Sequence, residues 1–212
     1  MVWTQLDTRS GSNPKQEGAT SEGPRLFPLE EAPIRVDFNT GEIVGEQVKS
    51  AVRTIRDLEG IFRDEEARRA VDPDALVYRV QSYCPGGEQE GGLFWGATFL
   101  EPGMVGDEYY MTKGHFHAKR GRGEFYMTVK GTGALILMDE RRHTAYQPMS
   151  PHTLHYIPGH TAHRVANTGD SVLSFLACWP SDAGHDYESI AVNGFSARLL
   201  RVGNVPTLVK ET

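Results

Sequence analysis

A chain of 212 residues is long enough for one well-packed domain and short for two, and its formal charge of -6 leaves no basic face with which to hold a nucleic acid. Two cysteines, Cys84 and Cys178, lie far apart in apolar surroundings, the pattern of a reduced protein rather than of a disulfide framework. No apolar run approaches the roughly 20 residues of a membrane helix, and the first residues lack the apolar centre of a signal peptide, so the expectation is small-molecule chemistry in the cytoplasm, with neither nucleic acid nor membrane as partner.

Residues 1–24, rich in Ser, Gly, Thr and Pro, are expected to form a flexible tail, and 25–212 a single domain. Ile34–Phe38 and Glu42–Val44 read as two strands joined by a turn at Asn39–Gly41, a hairpin that packs on the main sheet or on a second subunit. From Ser50 to Val71, Val52, Ile55, Leu58 and Phe62 recur at helical spacing, and Gly60 divides the stretch into two short helices. After Asp72-Pro73, short apolar segments separated by Gly and Pro follow one another as far as Pro180. About eight such strands close a small antiparallel barrel whose interior holds one ligand. No element is predicted beyond Pro180, and the loop Asp182–Tyr187 is expected at the barrel mouth as a pocket wall.

The chemistry gathers in Thr112–Tyr126. His115 and His117 are one residue apart, so on a strand both imidazoles face the same way. The glycine-rich, basic AKRGRG that follows reads as an exposed turn that returns a second strand alongside the first, with Glu124 facing the two imidazoles across a hairpin. His163, in YIPGHTAHRVAN, is the expected fourth ligand, while His143, His152, His155 and His160 are not expected to bind metal. Imidazoles with one carboxylate suit a divalent first-row ion with positions left open. Gly114 beside this strand marks a close backbone approach.

His115-x-His117, Glu124 and Gly131 resemble the first cupin motif, with a longer gap between His117 and Glu124 than is commonest. His163-Arg164-Val165-Ala166-Asn167 after Pro158-Gly159 resembles the second, with His152 where glycine is usual. More narrowly, TKGHFHAK, AHRVANTGD and WPSDAGHDY resemble the cupin-type glucose-6-phosphate isomerases of archaea and some bacteria. The resemblance implies an all-β cupin barrel with an N-terminal hairpin and short helices. It also implies a homodimeric enzyme that interconverts glucose 6-phosphate and fructose 6-phosphate with one divalent metal per subunit, iron before manganese, nickel or zinc.

Residue by residue, the resemblance places His115, His117, Glu124 and His163 on the metal, and Tyr78, Thr98, Thr112 and Gly114 on the sugar phosphate with Lys113 between the last two. Tyr126, His185 and Tyr187 then line the substrate pocket, and Trp179 stands where the family has tyrosine, so one hydroxyl is lost there. Glu124 is the candidate that moves a proton between C1 and C2, through a metal-stabilised enediolate; a hydride shift is the other route. Tyr126 and His185 are candidates for ring opening or proton transfer. Mannose 6-phosphate is a further candidate substrate. The same ligand set also suits an iron-dependent dioxygenase, and a non-catalytic sugar-binding cupin is the reading from another class.

Overall fold

A computed structural model describes residues 34–211, so the tail expected over 1–24 lies outside the described residues. Strands β1 (Arg35–Val36) and β2 (Ile43–Val44) form the expected N-terminal hairpin. The Asp37 carboxylate organises its turn by accepting from the Asn39 N–H at 2.8 Å and the Thr40 hydroxyl at 3.0 Å. The hairpin packs on the main sheet: the Ile43 N–H donates to the Gln81 side chain at 2.9 Å, and buried Ile43 packs with Ala97, Phe99, Val129 and Leu176.

The next segment departs from the helical reading. Lys49–Thr54 is a strand, β3, and helical structure begins only with a 3-10 turn at Ile55–Leu58, followed after Gly60 by α1 (Glu65–Ala70). Ile55, Leu58 and Phe62 are buried as their spacing suggests, but Val52 is 51% exposed. Its backbone pairs with the neighbouring strand instead, and tertiary pairing overrides a period that three of four residues obey. Asp64 starts α1 by accepting from the Ala67 N–H at 2.8 Å.

From here the chain is nearly all strand: β4 (Leu76–Tyr83), β5 (Leu93–Leu100), β6 (Met104–Val105), β7 (Glu108–Tyr109), β8 (Glu124–Lys130), β9 (Gly133–Asp139), β10 (Thr144–Met149), β11 (Leu154–Ile157), β12 (Thr161–Asn167) and β13 (Leu173–Pro180). After the single turn α2 (Glu188–Ala191) come β14 (Ala197–Val202) and β15 (Val205–Lys210). The main sheet has the order β11-β8-β13-β5-β4-β3, and β10-β9-β12 forms a second sheet. Residues 111–115 run beside β12, bridging Met111 to Ala166 and His115 to His163. Inward side chains of both sheets, among them Tyr78, Tyr126, Phe175, Leu135 and Val165, share one core. The described fold is all-β with short helices, as expected.

Two further departures matter. β8 does not return alongside His115–His117, because it pairs with β11 and β13 in the main sheet, while His115–Phe116 pairs with His163 and Asp186. The AKRGRG turn therefore crosses the barrel mouth from one sheet to the other, and Glu124 meets the histidines across the interior. The C-terminal hairpin β14–β15 had no counterpart in the prediction, although Gly203-Asn204 between two apolar runs is a two-residue hairpin signal.

Candidate metal centre and substrate pocket

His115 and His163 face one another because their backbones exchange two hydrogen bonds, His115 N–H to the His163 carbonyl at 3.2 Å and the reverse at 3.0 Å. The three imidazoles of His115, His117 and His163 then stand close enough that one ligand nitrogen of each lies within 4.8 Å of the others. Glu124 closes the group from the main sheet, with Oε2 at 3.3 Å from His117 Nε2 and 3.1 Å from His163 Nε2. The His117 tautomer is set from behind: its Nδ1 donates to the Arg122 carbonyl at 2.9 Å, which leaves the Nε2 lone pair aimed inward. The Nε2 atoms of all three histidines are buried without a hydrogen-bond partner. Buried polar atoms ordinarily find partners, so three such nitrogens converging on one carboxylate fit a divalent cation as their common partner.

Charge at the centre follows from this packing. Burial, reinforced by the neighbouring imidazoles, holds His115 well below the ordinary histidine value, so its ring is neutral and can offer a lone pair to a cation. Burial raises the Glu124 carboxyl, but the close approach of the His117 and His163 imidazoles outweighs it and holds the group below the ordinary carboxylate range. His185, its ring 4.4 Å from that of His115, is also held down by burial and by the imidazole charges beside it.

The centre opens into a cavity of about 420 Å³, and every residue expected at the site lines it: Tyr78, Thr98, Thr112, Lys113, Gly114, His115, His117, Glu124, Tyr126, His163, Trp179, His185 and Tyr187. Burial pushes the Tyr78 hydroxyl up to about 12 despite the Lys113 N–H that donates to it. Burial raises Tyr126 well above the ordinary tyrosine value, so its hydroxyl stays a donor beside His163. The Thr112 hydroxyl is partly engaged, accepting from the Val165 N–H at 3.0 Å.

Gly114 adopts φ +74°, and a Cβ there would lie 2.8 Å from Arg164 Nε, so the close approach expected of it is real. Trp179 stacks on Phe94 at 4.9 Å, and its ring lies against Gly96, where a Cβ would meet it at 2.8 Å. It presents a flat apolar wall to the cavity. The Asp182–Tyr187 loop is a pocket wall: Asp182 accepts from Lys119 at 2.7 Å and Arg122 at 2.6 Å, Asp186 pairs with Arg120, and the His185 and Tyr187 rings stack at 5.8 Å.

Three of the histidines set aside have other partners: His143 with Asp139, His155 with Gln147 and Thr153, and His160 with Glu140 on the surface. His152 takes φ +72°, the left-handed conformation its glycine-like position calls for. Arg53, Glu88 and Phe94 also line the cavity but were not anticipated. Arg53 was hidden by the helical reading of its segment; period-two alternation with Ala51 was the signal available.

A family model for glucose-6-phosphate isomerase matches residues 52–209. Glucose-6-phosphate isomerase of Pyrococcus horikoshii is 46% identical over 165 residues, spanning 77% of this chain and 86% of that protein. The enzyme of the same name from Thermococcus onnurineus is 43% identical over 171 residues, 80% of this chain and 89% of that one. Among solved structures, oxalate decarboxylase from Bacillus subtilis aligns at 19% identity and TM-score 0.42, over 51% of this chain and 26% of that one. With the family model matched across the whole barrel and relatives aligned over most of their own length, this chain belongs to the glucose-6-phosphate isomerase family.

Proposed function

We propose that this chain is a metal-dependent aldose–ketose isomerase that interconverts glucose 6-phosphate and fructose 6-phosphate in the cytoplasm, as a homodimer of single-domain subunits spanning 25–212. The observation that carries it is the convergence of three buried, unpartnered histidine nitrogens and one carboxylate at the floor of a cavity of sugar-phosphate size. His115, His117, His163 and Glu124 would hold one divalent ion, iron before manganese, nickel or zinc. When bound, the ion polarises the C1 or C2 carbonyl and its neighbouring hydroxyl. Association of subunits is supported by exposed Phe125, Leu154 and Tyr156 on neighbouring strands β8 and β11.

The chain's own residues supply the rest. His185, neutral at pH 7 through burial, accepts the proton that ring opening releases, and protonated Tyr126 donates to the oxygen that gains charge. The ionised Glu124 carboxylate takes the proton from C2 of the aldose and returns it to C1, while the hydroxyl proton passes from O2 to O1. A direct shift of hydrogen from C2 to C1 leaves Glu124 a ligand alone, and deuterium from solvent then stays out of the product. Tyr78, Thr98, Thr112, Lys113 and Gly114 form the phosphate end, and Trp179 and Tyr187 the walls.

The test is a coupled assay of fructose 6-phosphate conversion after stripping with a chelator and returning Fe(II), Mn(II), Ni(II) or Zn(II) in turn. Activity should vanish on stripping and return with metal. Stoichiometric metal binding without turnover would overturn the isomerase reading, and oxygen uptake would replace it with the oxygenase.

A further inference from the structure

The proposed substrate carries two negative charges at one end and none at the other, so the cavity's own charges decide which end enters over the histidines. Besides histidine, four charged side chains line the cavity among the described residues: Arg53, Glu88, Lys113 and Glu124. Glu124 sits with the metal ligands, and Glu88 acts electrostatically on His185. The two cations gather elsewhere. Arg53 stands directly opposite Tyr78 in the β3–β4 pair, so the two side chains share a face, and Ala51, two residues away on the same strand, lines the cavity too. Lys113 donates its backbone N–H to the Tyr78 hydroxyl and holds its ammonium 5.1 Å from the centre of the Tyr187 ring. The positive field of Arg53 reaches both tyrosines and opposes the rise of their hydroxyls.

Arg53 is also uncommitted. Its guanidinium makes one hydrogen bond, Nη1 to the Val52 carbonyl at 2.8 Å, and no ion pair among the described residues. Other arginines nearby are spent on structure: Arg79 pairs with Glu42, Arg120 with Asp186 and Arg122 with Asp182. A guanidinium fork with most of its donors free, beside a lysine and a tyrosine hydroxyl, is the geometry that binds a phosphate group bidentately.

We propose that Arg53 is a specificity-determining residue of this cavity. It grips the phosphate of the sugar phosphate from the edge strand of the main sheet and thereby points the C1–C2 end toward His115, His117 and His163. This rests on the isomerase reading for its substrate, but the anion subsite itself can be measured without turnover.

The experiment compares wild type with Arg53→Gln and Arg53→Lys in two assays. In the metal-loaded enzyme, Arg53→Gln should raise KM for fructose 6-phosphate about 10- to 100-fold with kcat within about threefold, as loss of a charge-assisted pair implies. The preference for fructose 6-phosphate over unphosphorylated fructose should fall by the same factor, and Arg53→Lys should recover part of it. In the chelator-stripped protein, calorimetric binding of inorganic phosphate should weaken about as much in Arg53→Gln. Unchanged KM and unchanged phosphate binding would overturn the assignment, as would an equal loss on both sugars. A wild type that binds phosphate through Arg53 yet never isomerises would sink the isomerase reading and leave the anion subsite standing.

Discussion

Replacing Gly114 by alanine tests whether the corner before the metal ligands is held by close packing. The residue has φ +74°, which costs an L-residue with a Cβ roughly 1–2 kcal/mol. The new Cβ would stand 2.8 Å from Arg164 Nε, 3.0 Å from Arg164 Cβ and 3.1 Å from Phe195 Cε2. None of these can retreat freely: Arg164 is buried, donates to the Lys113 carbonyl at 3.0 Å, and lies 4.2 Å over the Phe195 ring. Forcing a methyl into such a place costs a further ~1–3 kcal/mol.

The sum, about 2–5 kcal/mol, lowers Tm by roughly 4–20 °C at about 2–4 °C per kcal/mol for a domain of this size. Because Arg164 would be pushed off the Lys113 carbonyl, the proposed phosphate corner moves with it, and KM for fructose 6-phosphate should rise more than kcat falls. Differential scanning calorimetry and steady-state kinetics on the metal-loaded variant read both effects. A variant that melts within 1–2 °C of wild type, or about there, and keeps its KM would refute the reasoning.

Glu124→Gln keeps the shape of the side chain and removes the charge that His117 and His163 face. Metal content should drop below one ion per chain under conditions that saturate wild type, and turnover should fall about 10²- to 10⁴-fold, while melting stays cooperative; turnover within a few-fold of wild type at full occupancy would count against it. Asp182 is held down to about 2 by hydrogen bonds from Arg122 and Lys119. Its folded value lies below the unfolded one near ~3.9, so its stabilisation is present above about pH 4 and is lost as pH falls through about 2. The difference in Tm between wild type and Asp182→Asn should be full at neutral pH and vanish near the acid end, and a pH-independent difference would show that the ion pairs are not its source.

Much of the site was legible because its chemistry is written in short, local patterns. His115-x-His117, the Pro158-Gly159 turn before His163, and the Gly and Pro that punctuate successive strands all act within a few residues. Gly114 declared itself because no other residue type takes φ +74° against a buried arginine without strain. The reading of Ser50–Thr54 as helix failed for the opposite reason. Its periodicity was local, whereas its strand is created by pairing with β4, 22 to 33 residues further on, and with the strand came the inward face that carries Arg53.

The amino-acid sequence by itself determined the barrel class and the candidate ligands, since strand alternation and turn chemistry are properties of neighbours along the chain, while the residues around the cavity came from the resemblance to a family. Tertiary structure alone decided how those residues meet. Glu124 reaches His117 and His163 from the opposite sheet rather than across a hairpin, because β8 pairs with β11 and β13 and His115 pairs with His163. Which strands pair over long separations depends on burying both sheet faces at once, a global balance that no local pattern encodes.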